Sequence, residues 1–294
     1  MKQIEGIYAA SLSIIKDDLS LDVKNTIKHA ENLINLGCHG VVFFGSTGQS
    51  QLISLSEKIQ LINELPNSEY SESFIIGTGL NSLSDNINLM QISKSLGFEK
   101  FLIMPPAYYK YSDQDVINFY TNIIEKINNC KIILYNFEKL SGYKFSIQCV
   151  KELVNNFPDQ IIGVKDSSYN LFENLKIDNF SVLPGSEAKL LKGLELGCSG
   201  IITATTNVTA SFARNVYDSF INKKEQTQNE KLCEIRLAFE KYNLISGLHT
   251  FLSKKDKNFG NLLPPLHLLT QNEKRDLNNT LDKLGFNINT LSAA

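Results

Sequence analysis

The chain has no tryptophan, only three methionines and seven prolines, and no excess of charge of either sign: 29 Lys and Arg face 31 Asp and Glu among 294 residues. A formal net charge of −2 with no block of like charge gives no electrostatic footprint for nucleic acid or an anionic membrane, and points to a small polar partner. No run approaches the roughly 18 consecutive apolar residues of a membrane-spanning helix. The opening "MKQIEGIYAASLSIIKDD" lacks the apolar stretch of a signal peptide, so a soluble, cytoplasmic protein is expected. Cys38, Cys130, Cys149, Cys198 and Cys233 are an odd set without C-x-x-C spacing, which fits small buried residues better than disulfides or zinc. His29, His39, His249 and His267 are scattered without ligand-like spacing, so no metal site is expected. Asn207-Val-Thr209 matches a glycosylation acceptor, read here as chance in a chain with no export signal.

What the chain does have is a succession of short apolar runs. They are "GIYAASL" from Gly6, "GVVFFG" from Gly40, "FIIGTG" from Phe74, "KFLIMPP" from Lys100, "KIILYNF" from Lys131, "IIGVKDSS" from Ile161, "FSVLPGSE" from Phe180 and "GIITATTN" from Gly200. Runs that are continuously apolar, not alternating, suit strands covered on both faces, as in parallel sheets. Helical patterns lie between them. "LDVKNTIKHAENLINLG" keeps Val23, Ile27, Ala30, Leu33 and Ile34 on one face and stops at Gly37. Ser54 or Ser56 before Glu57 opens a second helix, and Asp113 and Ser146 precede two more. The segment before "FSVLPGSE" is short, which makes the sixth helix the weakest expectation.

Eight strands alternating with helices predict a (β/α)8 TIM barrel over residues 1–222. A helical extension follows over 223–294, with Pro264-Pro265 ending or redirecting a helix. A doubly wound nucleotide-binding sheet is the competing fold, but no G-x-G-x-x-G follows the first strand and "GSTGQS" lacks the lysine of a P-loop.

In a barrel the chemistry sits at the carboxyl ends of the strands. Those ends carry Ser46-Thr47, Tyr108-Tyr109, Tyr135-Asn136, Lys165-Asp166 and Gly185-Ser186-Glu187. Tyr135 and Lys165 are one β/α unit apart and would come from neighbouring strands. A desolvated lysine amine attacks ketones to form a Schiff base, a neighbouring tyrosine can carry the proton, and hydroxyls on a Gly-bounded turn can hold a carboxylate. Each residue also has a plain reading. A lysine after a strand snorkels to solvent or pairs with a carboxylate, a tyrosine at a rim is a core residue with a wet hydroxyl, "GSTG" is a common turn, and Tyr108-Tyr109 pack a loop.

Taken in order, "GSTG", "PPAYYK", "YN…SG", "GVKDSS", "PGSE" and "GIITATTNV" resemble the dihydrodipicolinate synthase and N-acetylneuraminate lyase family over about residues 4 to 290. The resemblance implies a TIM barrel with C-terminal helices, assembled as a homotetramer of paired dimers. It implies a class I aldolase or lyase in which Lys165 forms an imine with pyruvate or another 2-oxo acid, without metal or organic cofactor. By the same resemblance Tyr135 shuttles protons, Ser46 and Thr47 relay them and hold the carboxylate, and Tyr109 completes the relay in a neighbouring subunit. Gly185 and Ile202 would offer backbone contacts to the oxo acid, and Glu187 would grip substrate hydroxyls.

Departures from the pattern bear on the second substrate. Where synthases of the family carry an arginine for the carboxylate of aspartate semialdehyde, "YNFEKLSG" has Leu140, and Glu138 stands in place of a proline. Lys139 would point elsewhere on an extended segment. "LSG" and the Ser46-Thr47 pair resemble the sugar-acid lyases, whereas "GVKDSS" and "GIITATTNV" resemble the synthases. The usual Thr-Pro after the first strand is replaced by Ser13-Ile14. The expectation is therefore a lyase for a 2-oxo-3-deoxy sugar acid or a similar hydroxylated 2-oxo acid. Dihydrodipicolinate synthesis is the alternative, and a non-catalytic barrel that binds a 2-oxo acid is the reading from another class.

Overall fold

A computed structural model describes residues 4–288. The eight expected strands form: β1 (Gly6–Ala10), β2 (Gly40–Phe43), β3 (Phe74–Gly77), β4 (Lys100–Ile103), β5 (Lys131–Asn136), β6 (Ile161–Asp166), β7 (Ser181–Pro184) and β8 (Gly200–Thr203). All pairings are parallel, in the order β7-β6-β5-β4-β3-β2-β1-β8. The two ends of this sheet meet where the Ser199 N–H donates to the Val182 carbonyl at 2.9 Å, curling it into a nearly closed TIM barrel. The helices are α1 (Val23–Asn35), α2 (Leu55–Glu64), α3 (Leu83–Ser95), α4 (Asp113–Lys126), the single turn α5 (Glu138–Ser141), α6 (Ile147–Asn156), α7 (Leu190–Glu195), α8 (Thr206–Ile221), α9 (Asn229–Glu240), α10 (Leu244–Leu252) and α11 (Gln271–Lys283).

Local chemistry sets these boundaries. Ser54 and Glu57 form a capping box on α2, and Gly37, at φ +113°, follows α1 in the left-handed conformation. Ser112, not Asp113, caps α4; Asp113 instead accepts hydrogen bonds from the hydroxyls of Tyr143 and Ser146. The weakest expected helix does not form: residues 167–180 run as turns between β6 and β7. The Asp166 carboxylate explains this by accepting the N–H groups of Tyr169 (3.0 Å), Leu171 and Phe172 (both 2.9 Å), taking up amides that a helix would use.

Side chains alternate across the barrel wall. Val42, Ile75, Leu102, Ile133, Leu183 and Ile202 fill the interior, while Val41, Phe43, Ile76, Phe101, Ile132 and Leu134 pack outward against the helices. A further core joins the strand rims to the last helices: Leu12, Ile14 and Val208 cluster with Phe239 of α9, Phe251 of α10 and Leu277 of α11. Ser13 donates to the Gly48 carbonyl at 2.7 Å and the Ile14 N–H to Thr26 at 3.0 Å, so Ser13-Ile14 ties β1 to its neighbours by hydrogen bonds.

Asn207 of the glycosylation-like triplet is a buried tie. Its amide donates to the Ala10 and Ala204 carbonyls, and its oxygen accepts from the Leu12 N–H and from His29 at 2.7 Å. Burial pushes His29 and His249 down from 6.5 to about 4. Both are then neutral in the folded chain while the unfolded chain takes up protons below pH 6.5. Stability is full above that value and is lost progressively towards pH 4, at about 1.4 kcal/mol per pH unit for each histidine. Urea unfolding should therefore show a midpoint that falls between pH 6.5 and 5, before most carboxylates titrate; a constant midpoint there would contradict the buried neutral pair.

Candidate active site

The site begins with a register irregularity. Ile132 pairs with Ile161, but the next residue, Ile133, pairs with Gly163, so β6 carries one extra residue. In strict alternation Lys165 would share the outward face of Ile161. The extra residue reverses the parity, and Lys165 turns inward opposite Tyr135, its direct partner in the ladder. Lys165 is only 3% exposed, and its Nζ lies 4.2 Å from the centroid of the Tyr135 ring, within cation–π range.

The Tyr135 hydroxyl and Ser46 Oγ are 2.9 Å apart, and either can donate. Ser46 belongs to a 3₁₀ turn, Ser46–Gly48, directly after β2. Gly48 is required there, because a Cβ would stand 2.9 Å from the Ser11 carbonyl oxygen. Around these groups lies a cavity of about 430 Å³, walled by Thr47 and Gly185 and roofed by residues of the last helices, Arg236, Glu240 and Leu244. Glu138 and Lys139 of α5 stand at its edge. A second space of about 120 Å³ shares Ser46 and Tyr135 and is lined further by Ser50 and Gln51 and by apolar groups including Leu102, Met104 and Leu140.

The outward neighbours of the reactive pair hold it in place. Asn136 donates to Asp166 and to Asn170, both at 2.8 Å, and accepts from the Phe145 N–H. Burial pushes the Asp166 carboxyl up against the opposing pull of its N–H donors. The same carboxylate organises the loop that brings Ser167, Ser168 and Tyr169 to the cavity wall.

Of the residues expected from sequence, Lys165, Tyr135, Ser46, Thr47 and Gly185 meet at one cavity. Three others do not line it. Glu187 is completely buried behind the wall, where it accepts from Thr203 at 2.7 Å and pairs with Arg236 at 3.3 Å, so its carboxylate is committed inside the protein. Ile202 sits in the barrel interior among apolar side chains. Tyr109 is 68% exposed on the loop after β4, its ring edge-on to that of Tyr108 at 5.1 Å. Sequence reading missed Arg236, Glu240 and Tyr169. The first two carry the signature of an i,i+4 ion pair, but nothing local reveals that α9 folds back over the barrel mouth. Among the described residues no group of three or more His, Cys, Asp or Glu is placed to hold a metal ion.

The barrel buries a lysine against a tyrosine at the carboxyl ends of adjacent strands, the end where TIM-barrel enzymes carry their sites. The chain is a member of the dihydrodipicolinate synthetase family, whose profile matches residues 3–284, and so is a carbon–carbon lyase. It is similar to 4-hydroxy-tetrahydrodipicolinate synthase of Methanococcoides burtonii, 26% identical over 291 residues that cover 96% of this chain and 98% of that protein. It is also similar to N-acetylneuraminate lyase of Actinobacillus pleuropneumoniae, 28% identical over 257 residues and 84% of each chain. The fold matches the crystal structure of chloride-inhibited dihydrodipicolinate synthase from Acinetobacter baumannii complexed with pyruvate, with a TM-score of 0.88, 25% identity and coverage of 97% of this chain and 100% of that one. Members of the family use pyruvate and small aldehydes.

The loop anchor gives a direct test. Asp166→Ala leaves three backbone N–H groups without their acceptor and should cost at least about 3 kcal/mol. Thermal unfolding and limited proteolysis should show a lower Tm and new cleavage within 167–180, whereas an unchanged Tm would mean the carboxylate is not the anchor.

Proposed function

We propose that this protein is a Schiff-base lyase acting on pyruvate or a closely related 2-oxo acid, with Lys165 as the nucleophile. The carrying observation is the Lys165 amine in a cavity, against a tyrosine whose hydroxyl is already linked to Ser46. The amine adds to the C2 carbonyl, and loss of water gives an iminium. Tyr135 gives its proton to the departing water; as the positive nitrogen draws electrons from C3, the tyrosinate takes up a C3 proton and an enamine forms. The enamine carbon attacks an aldehyde carbon, a new C–C bond forms, and the developing alkoxide takes a proton from the Tyr135 hydroxyl. Water then hydrolyses the iminium, and the proton released returns to Tyr135 through Ser46 as product and free Lys165 separate. Cleavage runs the same steps backwards. Thr47 and the neighbouring turn would hold the carboxylate of the oxo acid, with Gly185 leaving its backbone open to the ligand.

For the second substrate we favour an aldehyde that yields a 2-oxo-3-deoxy sugar acid or a similar hydroxylated 2-oxo acid. Leu140 offers no hydrogen bond to a carboxylate, which weighs against aspartate semialdehyde. Dihydrodipicolinate synthesis is the second reading, favoured by the similarity to the Methanococcoides burtonii synthase over 96% of this chain. We further propose a cytoplasmic homotetramer in which exposed Tyr109 reaches the site of a neighbouring subunit; a monomer with full activity in sedimentation would remove that role. Ile202 as an oxo-acid contact and Glu187 as a hydroxyl ligand would each need a shift from the arrangement described above.

Borohydride reduction in the presence of pyruvate, followed by intact mass and peptide mapping, should place a reduced pyruvyl group on Lys165. Lys165→Ala should give no adduct and no turnover while remaining folded. Undiminished turnover in this variant would end the Schiff-base reading. Tyr135→Phe should lower kcat by about 10²-fold or more while the adduct still forms. A loss of adduct equal to the loss of turnover would deny the tyrosine a separate role in proton transfer.

A further inference from the structure

Arg236 is a buried guanidinium at the cavity with an unusual set of partners. Its Nε donates to Glu240 at 2.7 Å, and its Nη1 faces Glu187 (3.3 Å), Thr203 (3.1 Å) and Thr205 (3.0 Å). Nη2 donates to no group among the described residues, and it is not among the side-chain atoms sealed away without a partner. Two N–H donors are therefore left to the cavity that Arg236 lines. Glu240 lines the same cavity, with its side chain 38% exposed and only Oε1 engaged by the arginine.

The charges decide what such a pair can hold. Arg236 already faces two carboxylates, Glu187 and Glu240, so its positive charge is spent inside the protein. Lys139 and Lys165 also line the cavity, as does Glu138, which pairs with Lys144 at 3.2 Å. At this pair an incoming carboxylate or phosphate would find the guanidinium already shared by two carboxylates and would be repelled by Glu240. A hydroxyl group both accepts and donates, and so satisfies Nη2 and Glu240 without adding charge. Leu140 and Met104 line the adjoining space that shares Ser46 and Tyr135 with this cavity.

We propose that Arg236 and Glu240 form a hydroxyl-binding subsite for the aldehyde, selecting an uncharged, hydroxylated acceptor over an anionic one. This rests on the Schiff-base lyase reading. Glu187 would then act as a positioning residue, fixing the guanidinium so that Nη2 stays open.

The test uses the intact protein, pyruvate and four aldehydes: glyceraldehyde, propanal, glyceraldehyde 3-phosphate and succinic semialdehyde. Borohydride trapping is run first on wild type, Glu240→Gln and Arg236→Lys. Wild type should show the highest kcat/KM with glyceraldehyde. In Glu240→Gln the glyceraldehyde-to-propanal ratio should fall about 10-fold, mainly through KM, as expected for one hydrogen bond to a charged group, and use of glyceraldehyde 3-phosphate should rise. Arg236→Lys keeps a cation for Glu187 but loses the planar fork, and should lower the same ratio. An unchanged ratio in Glu240→Gln, or a wild type that prefers either anionic aldehyde, would overturn the subsite while the adduct keeps the lyase reading intact. Absence of an adduct in wild type would end the lyase reading and this inference with it.

Discussion

One additional residue in β6, inserted opposite the Ile132–Ile133 step of β5, governs most of what happens at the barrel mouth. A side chain on a strand has only two directions, so a single insertion exchanges them for every residue that follows. Lys165 thereby faces inward beside Tyr135, and Asp166 faces outward beside Asn136. The inward pair supplies an amine and a hydroxyl to a cavity. The outward pair supplies the acceptors that hold the following loop in place of a helix. The cavity pair and its support are thus consecutive residues of the same two strands, and neither can be re-aimed without moving the other.

The second determinant is the return of the chain over the mouth. Helices α9 to α11 share a core with Leu12 and Ile14 at the end of β1, which fixes α9 above the cavity. That position brings a guanidinium to the site, at the cost of burying a charge. Glu187, Glu240 and two threonine hydroxyls compensate it. A buried cation paired with two carboxylates contributes geometry more than net charge, so α9 brings oriented donors and acceptors to the mouth.

The strands were legible because each is a short apolar run covered on both faces, and the ends of those runs led directly to Ser46, Tyr135 and Lys165. The sequence order of "YN" and "GVKDSS" also foretold that tyrosine and lysine would be neighbours. The parity that turns Lys165 inward was not legible: "IIGVKD" contains Gly163 but no mark of which residue is extra. The missing sixth helix was foreshadowed only by segment length, since the cause is a carboxylate bonding to amides three to six residues ahead. Glu187 was expected as a ligand from the family resemblance, yet it turns towards an arginine 49 residues later in the chain. Arg236 and Glu240 were invisible as site residues, because their placement depends on long-range packing of α9 and not on any local pattern.

The most direct measurement is a crystal structure of the protein soaked with pyruvate. The account predicts continuous electron density from Lys165 Nζ to C2 of the ligand, with the Tyr135 hydroxyl within hydrogen-bonding distance and still joined to Ser46. Pyruvate bound without a covalent link, or a Lys165 side chain turned out of the cavity, would contradict it.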